Sequence, residues 1–234
     1  MRDLRPSIPR KLFGRSFGHL TPNYIFYKLK LVYTNKRFPT YPSLTLDSIR
    51  LLEQLLKPTD VGVEWGAGNS TGWFAERTKH LISFETNPEY FPIVKESLKQ
   101  RGLDNVQLNF VPFEYFDDEQ KNHEHEWMKR ANGLADESID YALVDSAPRS
   151  CLCKAAISKL KRGGILILDN ANWYLPPPDS LTPFPVSSVG VALGFPGSKA
   201  PENQCFPSFL NETSEWRRIW TSDGVSATLL LFKP

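Results

Sequence analysis

The hydrophobic positions of the chain follow two alternating periodicities from residue 43 onwards. Short apolar runs predict β-strands, and they occur at 60–64, 81–85, 106–111, 139–145 and 164–169. Apolar residues at helical spacing predict helices between them, at 46–56, 71–79, 91–101 and 150–160. Because strands that alternate with helices form right-handed βαβ units, the pattern predicts an α/β fold with a doubly wound, mainly parallel sheet.

The last part of the chain has a different pattern. Two apolar runs at 216–222 and 225–232 are separated only by Asp223-Gly224. Asp-Gly is a dipeptide that suits a tight hairpin turn. We therefore expect the parallel sheet to end in a C-terminal antiparallel hairpin.

Two segments interrupt the regular alternation. Residues 113–137 carry eight Asp/Glu together with several aromatic residues, and residues 175–210 carry eight prolines. The second segment follows the end of a predicted strand, where open α/β sheets bind ligands. It is interpreted as a substrate lid, and a surface loop without a role is the alternative. The predicted organisation is a basic arm at 1–42 and one domain at 43–234 with insertions at about 113–137 and 175–210.

The charged residues are unevenly distributed along the chain. The chain has 234 residues, 41% hydrophobic and 23% charged, which are ordinary values for a globular protein, and its formal net charge is +2. Residues 1–50 hold ten Lys/Arg against two acids, whereas the remaining residues hold 18 Lys/Arg against 24 acids. The basic arm can bind nucleic acid or an anionic membrane surface, dock on the acidic body, or contact a second copy in a homodimer. Docking within the chain or a dimer contact is the favoured interpretation.

The expected compartment follows from cysteine use and hydropathy. Three cysteines (Cys151, Cys153 and Cys205) do not make a disulfide framework, which favours a reducing compartment. No apolar run is long enough for a membrane span, and the N-terminus lacks the apolar stretch of a secretory signal. The expectation is a cytoplasmic protein.

A glycine turn follows the first predicted strand. It begins with Glu64 and continues through Gly66, Gly68, Asn69, Ser70 and Thr71 into a predicted helix. Glycines after a strand allow backbone to approach a ligand, and the helix that follows offers free N–H groups. Glu85 ends the next strand, where a carboxylate can accept the hydroxyl groups of a ribose. A dinucleotide fingerprint would place a third glycine where Thr71 stands.

The Glu-x-Gly-x-Gly run and the terminal hairpin resemble class I S-adenosylmethionine-dependent methyltransferases, which have a Rossmann-like fold. The resemblance covers about residues 43–234. It implies that S-adenosylmethionine is the cofactor. It also implies a role for each motif residue: Glu64 beneath the methionine end, Gly66 and Gly68 close to the cofactor, Asn69, Ser70 and Thr71 along the turn, Glu85 on the ribose, and Phe113 near the adenine.

Acids also end the fourth and fifth predicted strands. Asp145 and the pair Asp169-Asn170 would meet at one sheet edge and offer hard oxygen ligands suited to Mg²⁺. This set resembles the metal site of the catechol O-methyltransferase-like branch. In that branch a lysine serves as base three residues after the first acid, whereas Pro148 stands here and Arg149 follows. The alternative is that Asp145 faces cofactor and substrate while Asp169-Asn170 caps a turn. Asp145 and Arg149 are the candidate catalytic residues.

The methyl acceptor is constrained by the motif after the fourth strand. Methyltransferases that act on nucleic-acid amines carry Asn/Asp-Pro-Pro-aromatic there, whereas this chain has Asp-Ser-Ala-Pro at 145–148. O-methylation of a small-molecule or sugar hydroxyl is therefore the leading hypothesis. An RNA methyltransferase guided by the basic arm and a non-catalytic cofactor-binding domain are the alternatives.

Overall fold

A seven-stranded sheet organises the protein. The computed structural model describes residues 22–112, 125–146, 148–175 and 205–234. The strand order is β3-β2-β1-β4-β5-β7-β6, with β1 to β5 parallel and β6 and β7 antiparallel to their neighbours. The strands are β1 Val61–Trp65, β2 His80–Glu85, β3 Val106–Phe110, β4 Ile139–Val144, β5 Leu160–Leu168, β6 Arg217–Ser222 and β7 Ala227–Phe232. The predicted fold class, a mainly parallel sheet with a C-terminal hairpin, is confirmed.

Helices fill the connections between the strands. The described helices are α1 Pro22–Arg37, α2 Leu46–Leu55, α3 Asn69–Ala75, α4 Tyr90–Gln100, α5 Glu126–Asn132, α6 Arg149–Lys159, α7 Ala171–Tyr174 and α8 Phe206–Glu212. Helix α3 is shorter than the predicted 71–79. Residues 76–79 form a turn that leads into β2, and the N–H groups of Lys79 and His80 donate to the carbonyl of Asp60 before β1.

The terminal hairpin turns slightly later than Asp223-Gly224 predicts. The strand ladder closes with Ser222 opposite Ala227, and the N–H of Asp223 donates to the carbonyl of Ser226. Gly224 adopts a φ of 85°, which favours glycine, and Asp223 Oδ1 accepts from the N–H groups of Val225 and Ser226. The aspartate therefore stabilises the turn from its first position, and Gly224 and Val225 form its centre.

Both faces of the sheet are covered. Along β5, Leu166 and Leu168 pack into one apolar core, while Ile165 and Ile167 pack into the other. This alternation reflects the two-residue period of a strand, so a continuous apolar run means burial on both sides. Helices α5, α6 and α8 cover the first face, and α2 and α3 cover the second. All three cysteines lie in the described ranges, and they are buried and form no disulfide.

The arm and the insertions are described only in part. Residues 1–21, 113–124 and 176–204 lie outside the described residues, as does Phe113 within them. The rest of the first insertion includes α5, whose buried Trp127 and Met128 belong to the main core. Helix α1 forms the described end of the arm. None of the described helices combines the length and the apolar character that crossing a bilayer requires.

Candidate functional site

A cavity lies at the carboxyl ends of β1 and β4. Its volume is about 210 Å³. The chain leading into α2, the glycine turn after β1, the start of α4 and the end of β4 form its wall. The lining residues are Pro42, Ser43, Leu44, Gly66, Ala67, Gly68, Asn69, Ser70, Tyr90, Leu143 and Asp145. The position matches the place where open α/β sheets bind ligands.

The two glycines of the turn have different roles. Gly66 adopts a φ of 104°, and a Cβ there would lie 2.8 Å from the carbonyl oxygen of Asp145. The fold therefore requires glycine at position 66. Gly68 has an extended backbone, and a Cβ there would meet nothing closer than the Tyr90 hydroxyl at 3.6 Å. The absence of a side chain at Gly68 thus keeps the cavity open rather than relieving a clash.

Glu64 supports the turn from below. Its side chain is fully buried, and its Oε2 accepts hydrogen bonds from the hydroxyls of Thr71 and Ser83, both at 2.6 Å. The Thr71 hydroxyl in turn accepts from the N–H of Gly68 at 2.9 Å. In the described part of the chain, Glu64 Oε1 has no hydrogen-bond partner. Glu64 and Thr71 therefore shape the turn, and neither lines the cavity.

The buried carboxyl of Glu64 predicts a pH-dependent stability. Burial raises its pKa from 4.5 to about 7. Between these values the folded chain keeps the proton that the unfolded chain has lost, so stability falls as pH rises through this window and then levels off. The expected loss is on the order of 3 kcal/mol, and a Glu64→Gln variant lacks it. Urea unfolding of both chains at pH 5 and pH 8 measures the difference, and equal changes in both chains would refute the prediction.

Glu85 stabilises the turn that follows β2. Its Oε1 accepts hydrogen bonds from the N–H groups of Thr86 and Asn87, at 2.8 and 2.7 Å. The preceding carbonyl, that of Phe84, accepts from the N–H groups of Gly66 and Ala67. Glu85 is therefore adjacent to the glycine turn, although it does not line the cavity. Its contact with a ribose stays a prediction.

A guanidinium group connects the strand-end residues beside the cavity. Arg149, the first residue of α6, is buried and donates from Nη2 to Asp145 Oδ1 and, at 3.1 Å, to Asn170 Oδ1. Its Nη1 donates to the Tyr174 hydroxyl at 3.1 Å. Asn170 adopts a left-handed conformation before α7 and donates from Nδ2 to the Ser226 hydroxyl. The ends of β4 and β5 are thus tied to the terminal hairpin through one cation.

Asp169 is the more deeply buried acid of this cluster. Burial raises its pKa well above the ordinary value, the neighbouring charge of Asp145 raises it further, and Arg149 opposes both effects. The Thr228 hydroxyl is 3.4 Å from its Oδ1. The arrangement favours a neutral Asp169 beside an ionised Asp145 that is paired with Arg149, because two adjacent carboxylates share one nearby cation.

These residues do not fit a divalent cation. Mg²⁺ needs free oxygen ligands, whereas Arg149 already binds an oxygen of both Asp145 and Asn170. The positive guanidinium would also repel a second cation at this place. Within the described ranges, no cluster of three or more His, Cys, Asp or Glu side chains is arranged to hold a metal. Asp145, Asp169 and Asn170 do meet at one edge, as the sequence indicates, but around an arginine.

The sequence does not reveal several residues of the cavity wall. Tyr90 at the start of α4 and Leu143 in β4 reach it only because the strands and helices assemble around the turn. Pro42 and Leu44 come from the chain before α2, which Asn69 holds in place by donating to the carbonyl of Pro39 at 2.9 Å. No local motif marks these positions.

Solved structures of low sequence identity share this fold. No protein-family model matches the sequence, and a search of curated proteins finds no match. A protein from Staphylococcus aureus, provisionally assigned as a caffeoyl-CoA O-methyltransferase, is 14% identical with a TM-score of 0.54 over 92% of this chain and 93% of its own. A Geobacter sulfurreducens methyltransferase is 15% identical with a TM-score of 0.51 over 92% and 93%. A provisionally assigned rRNA methylase from Clostridium thermocellum is 15% identical with a TM-score of 0.51 over 80% and 93%.

The fold is therefore that of the class I S-adenosylmethionine-dependent methyltransferases. The strand order, the hairpin and the glycine turn after β1 all agree with the resemblance in the sequence. At these identities the likeness establishes the architecture, and the activity has to be argued from the site itself.

Proposed function

We propose that the protein is an S-adenosylmethionine-dependent methyltransferase that acts on a hydroxyl group of a small molecule or a sugar. The observation that carries the proposal is the cavity beside Gly68, where the chain leaves space that a side chain would otherwise fill. The cavity wall also includes Asp145, which connects it to the charged cluster of β4 and β5. The cavity proposed for the cofactor therefore lies next to the charged side chains proposed to take part in the reaction.

The glycine turn is suited to hold the cofactor. Gly66 and Gly68 would let it approach the backbone, Asn69 and Ser70 would offer polar groups from the first turn of α3, and Glu85 would bind the ribose. When bound, S-adenosylmethionine supplies an electrophilic methyl group on sulfur.

Asp145 is the proposed acceptor-binding residue. Its side chain is about one-third exposed (32%) at the cavity, whereas the side chain of Arg149 is only 9% exposed. Burial raises the pKa of Asp145, and the charge and hydrogen bond of Arg149 oppose that rise. Arg149 also orients the Asp145 carboxylate, which would accept the hydrogen bond of an incoming hydroxyl and take its proton. Arg149 is a positioning residue in this scheme, and it supplies the positive charge at the sheet edge.

The proposal is tested by following a labelled methyl group. Incubation with S-adenosylmethionine labelled on the methyl carbon and with pools of sugars and phenols should yield a labelled acceptor. Asp145→Asn should bind S-adenosylhomocysteine like the wild type but transfer at least about a hundredfold more slowly. A chelator should leave the wild-type rate unchanged. Absence of transfer to any hydroxyl acceptor, or full activity of Asp145→Asn, would refute the proposal.

Methylation of RNA is the second candidate function. The positive charges of α1 favour it, and one protein of the same fold is provisionally assigned as an rRNA methylase. RNA binding through phosphate contacts should weaken steeply with salt, because it releases counterions. Labelled RNA in the same assay, at low salt, would identify this function in place of the first.

A further inference from the structure

Helix α1 has one side that packs on the protein. Tyr24 and Val225 of the terminal hairpin turn form a small buried cluster, against which Tyr27, Leu31 and Trp173 pack. The fit is close, since a Cβ on Gly224 would lie 2.4 Å from the ring of Tyr27. The inner side therefore accounts for the attachment of α1 to the fold.

The opposite side of α1 exposes large apolar side chains. We call Ile25, Phe26, Leu29, Val32 and Tyr33 the outer face, and their exposed fractions range from 46% for Val32 to 70% for Tyr33. At about 100° per residue these positions cover a continuous arc of about 120°. Large apolar residues grouped in this way indicate an interaction surface rather than scattered exposure.

Positive charges border the outer face on both flanks. The same helical geometry places Lys28 on one side and Lys30 and Arg37 on the other, with Lys36 near the C-terminal end. The helix contains no Asp or Glu between Pro22 and Arg37. An apolar strip bordered by cations is the arrangement of helices that lie in the interface of an anionic bilayer.

We propose that the outer face of α1 docks the protein on a membrane surface that contains anionic lipids. Insertion would bury the apolar strip at the level of the acyl chains and leave the lysine and arginine heads among the lipid phosphates. The proposal concerns α1 alone, so it stands independently of the proposed methyltransferase activity.

Other partners fit this face less well. A symmetric contact with a second copy would place Lys28, Lys30 and their equivalents against one another, which opposes association. Nucleic-acid bases stack on aromatic side chains, whereas three of the five residues of the outer face, Ile25, Leu29 and Val32, are aliphatic. The combination of a mainly aliphatic strip and cations along its borders favours lipid.

The test is vesicle binding by the full chain. The wild type should co-sediment with vesicles of phosphatidylglycerol and phosphatidylcholine in equal parts, and binding should weaken with salt and on phosphatidylcholine alone. The double variant Ile25→Glu/Leu29→Glu should lose at least about tenfold in affinity, because two side chains no longer enter the apolar layer. The double variant Lys28→Gln/Lys30→Gln should lose about fivefold in vesicle affinity for each cation removed, and only on the mixed vesicles.

Ile93→Glu is the matched control. Ile93 is 60% exposed on α4, away from α1, and its replacement should leave vesicle binding unchanged. Thermal unfolding should be the same in all variants, since the altered side chains already face water. Failure of the wild type to bind the mixed vesicles, or binding of the Ile25→Glu/Leu29→Glu variant at wild-type strength, would overturn the proposal. A wild-type dimer that this variant dissociates in light scattering would also overturn it, in favour of a second copy.

Discussion

Replacing Gly68 by valine is expected to weaken S-adenosylhomocysteine binding by at least about a hundredfold, while unfolding free energy changes by about 1 kcal/mol or less. The backbone at Gly68 is extended, a conformation that any residue adopts, and the nearest neighbour of an added Cβ is 3.6 Å away. A side chain there meets little protein and projects at the wall of the cavity. The valine side chain therefore lowers the affinity for the ligand and not the stability of the fold. Calorimetric titration measures the affinity, and urea unfolding measures the stability.

Two other glycines provide controls for this variant. Gly102→Ala also replaces a glycine, at a φ of 66° with nothing within 4 Å of the new Cβ, so it should cost stability without affecting the ligand. Gly66→Ala should reduce both the stability and the affinity for S-adenosylhomocysteine, because its Cβ would clash with the Asp145 carbonyl. Undiminished S-adenosylhomocysteine binding by Gly68→Val would show that the cavity is not the cofactor site.

Replacing Arg149 by methionine is expected to lower the free energy of unfolding by about 3 kcal/mol and the rate of methyl transfer at least about a hundredfold. The substitution removes the cation between Asp145 and Asn170 and leaves two acids adjacent without a counter-charge. The partial exposure of Asp145 places the stability loss at the lower end of the usual range for buried pairs. Urea unfolding and labelled-methyl assays measure the two effects.

The control for Arg149 is an exposed ion pair. Lys161 contacts Asp140 at 2.9 Å but is 43% exposed, so Lys161→Met should cost about 1 kcal/mol or less. The double variant Arg149→Met/Asp145→Asn should recover part of the stability lost in Arg149→Met, because the unpaired charge is gone. A double variant that is as unstable as the sum of the two single variants would contradict the charge-pair interpretation.

The sheet is predictable from the sequence because local pattern and tertiary burial agree there. The run Ile165–Leu168 is apolar at every position. A strand that is covered on both faces needs this pattern, because successive side chains point to opposite faces. The turn from Gly66 to Thr71 is also visible in the sequence, because its two glycines directly follow β1.

The electrostatic arrangement of the site is not local and was only partly predictable. The sequence predicts that Asp145 and Asp169 meet at one sheet edge, because each ends a strand, but the cation between them depends on where α6 begins. Because Arg149 is the first residue of that helix, its side chain returns to the sheet edge and satisfies the oxygens that would otherwise suit Mg²⁺. The buried role of Glu64 also depends on Ser83, a residue of the neighbouring strand.

A crystal structure of the chain with S-adenosylhomocysteine tests the proposed cofactor site most directly. We expect the adenosyl and methionine parts to lie along the turn from Gly66 to Ser70, with the sulfur facing Asp145 and no metal ion between Asp145 and Asp169. A ligand bound elsewhere, or a divalent ion that displaces Arg149 from Asp145, would contradict it.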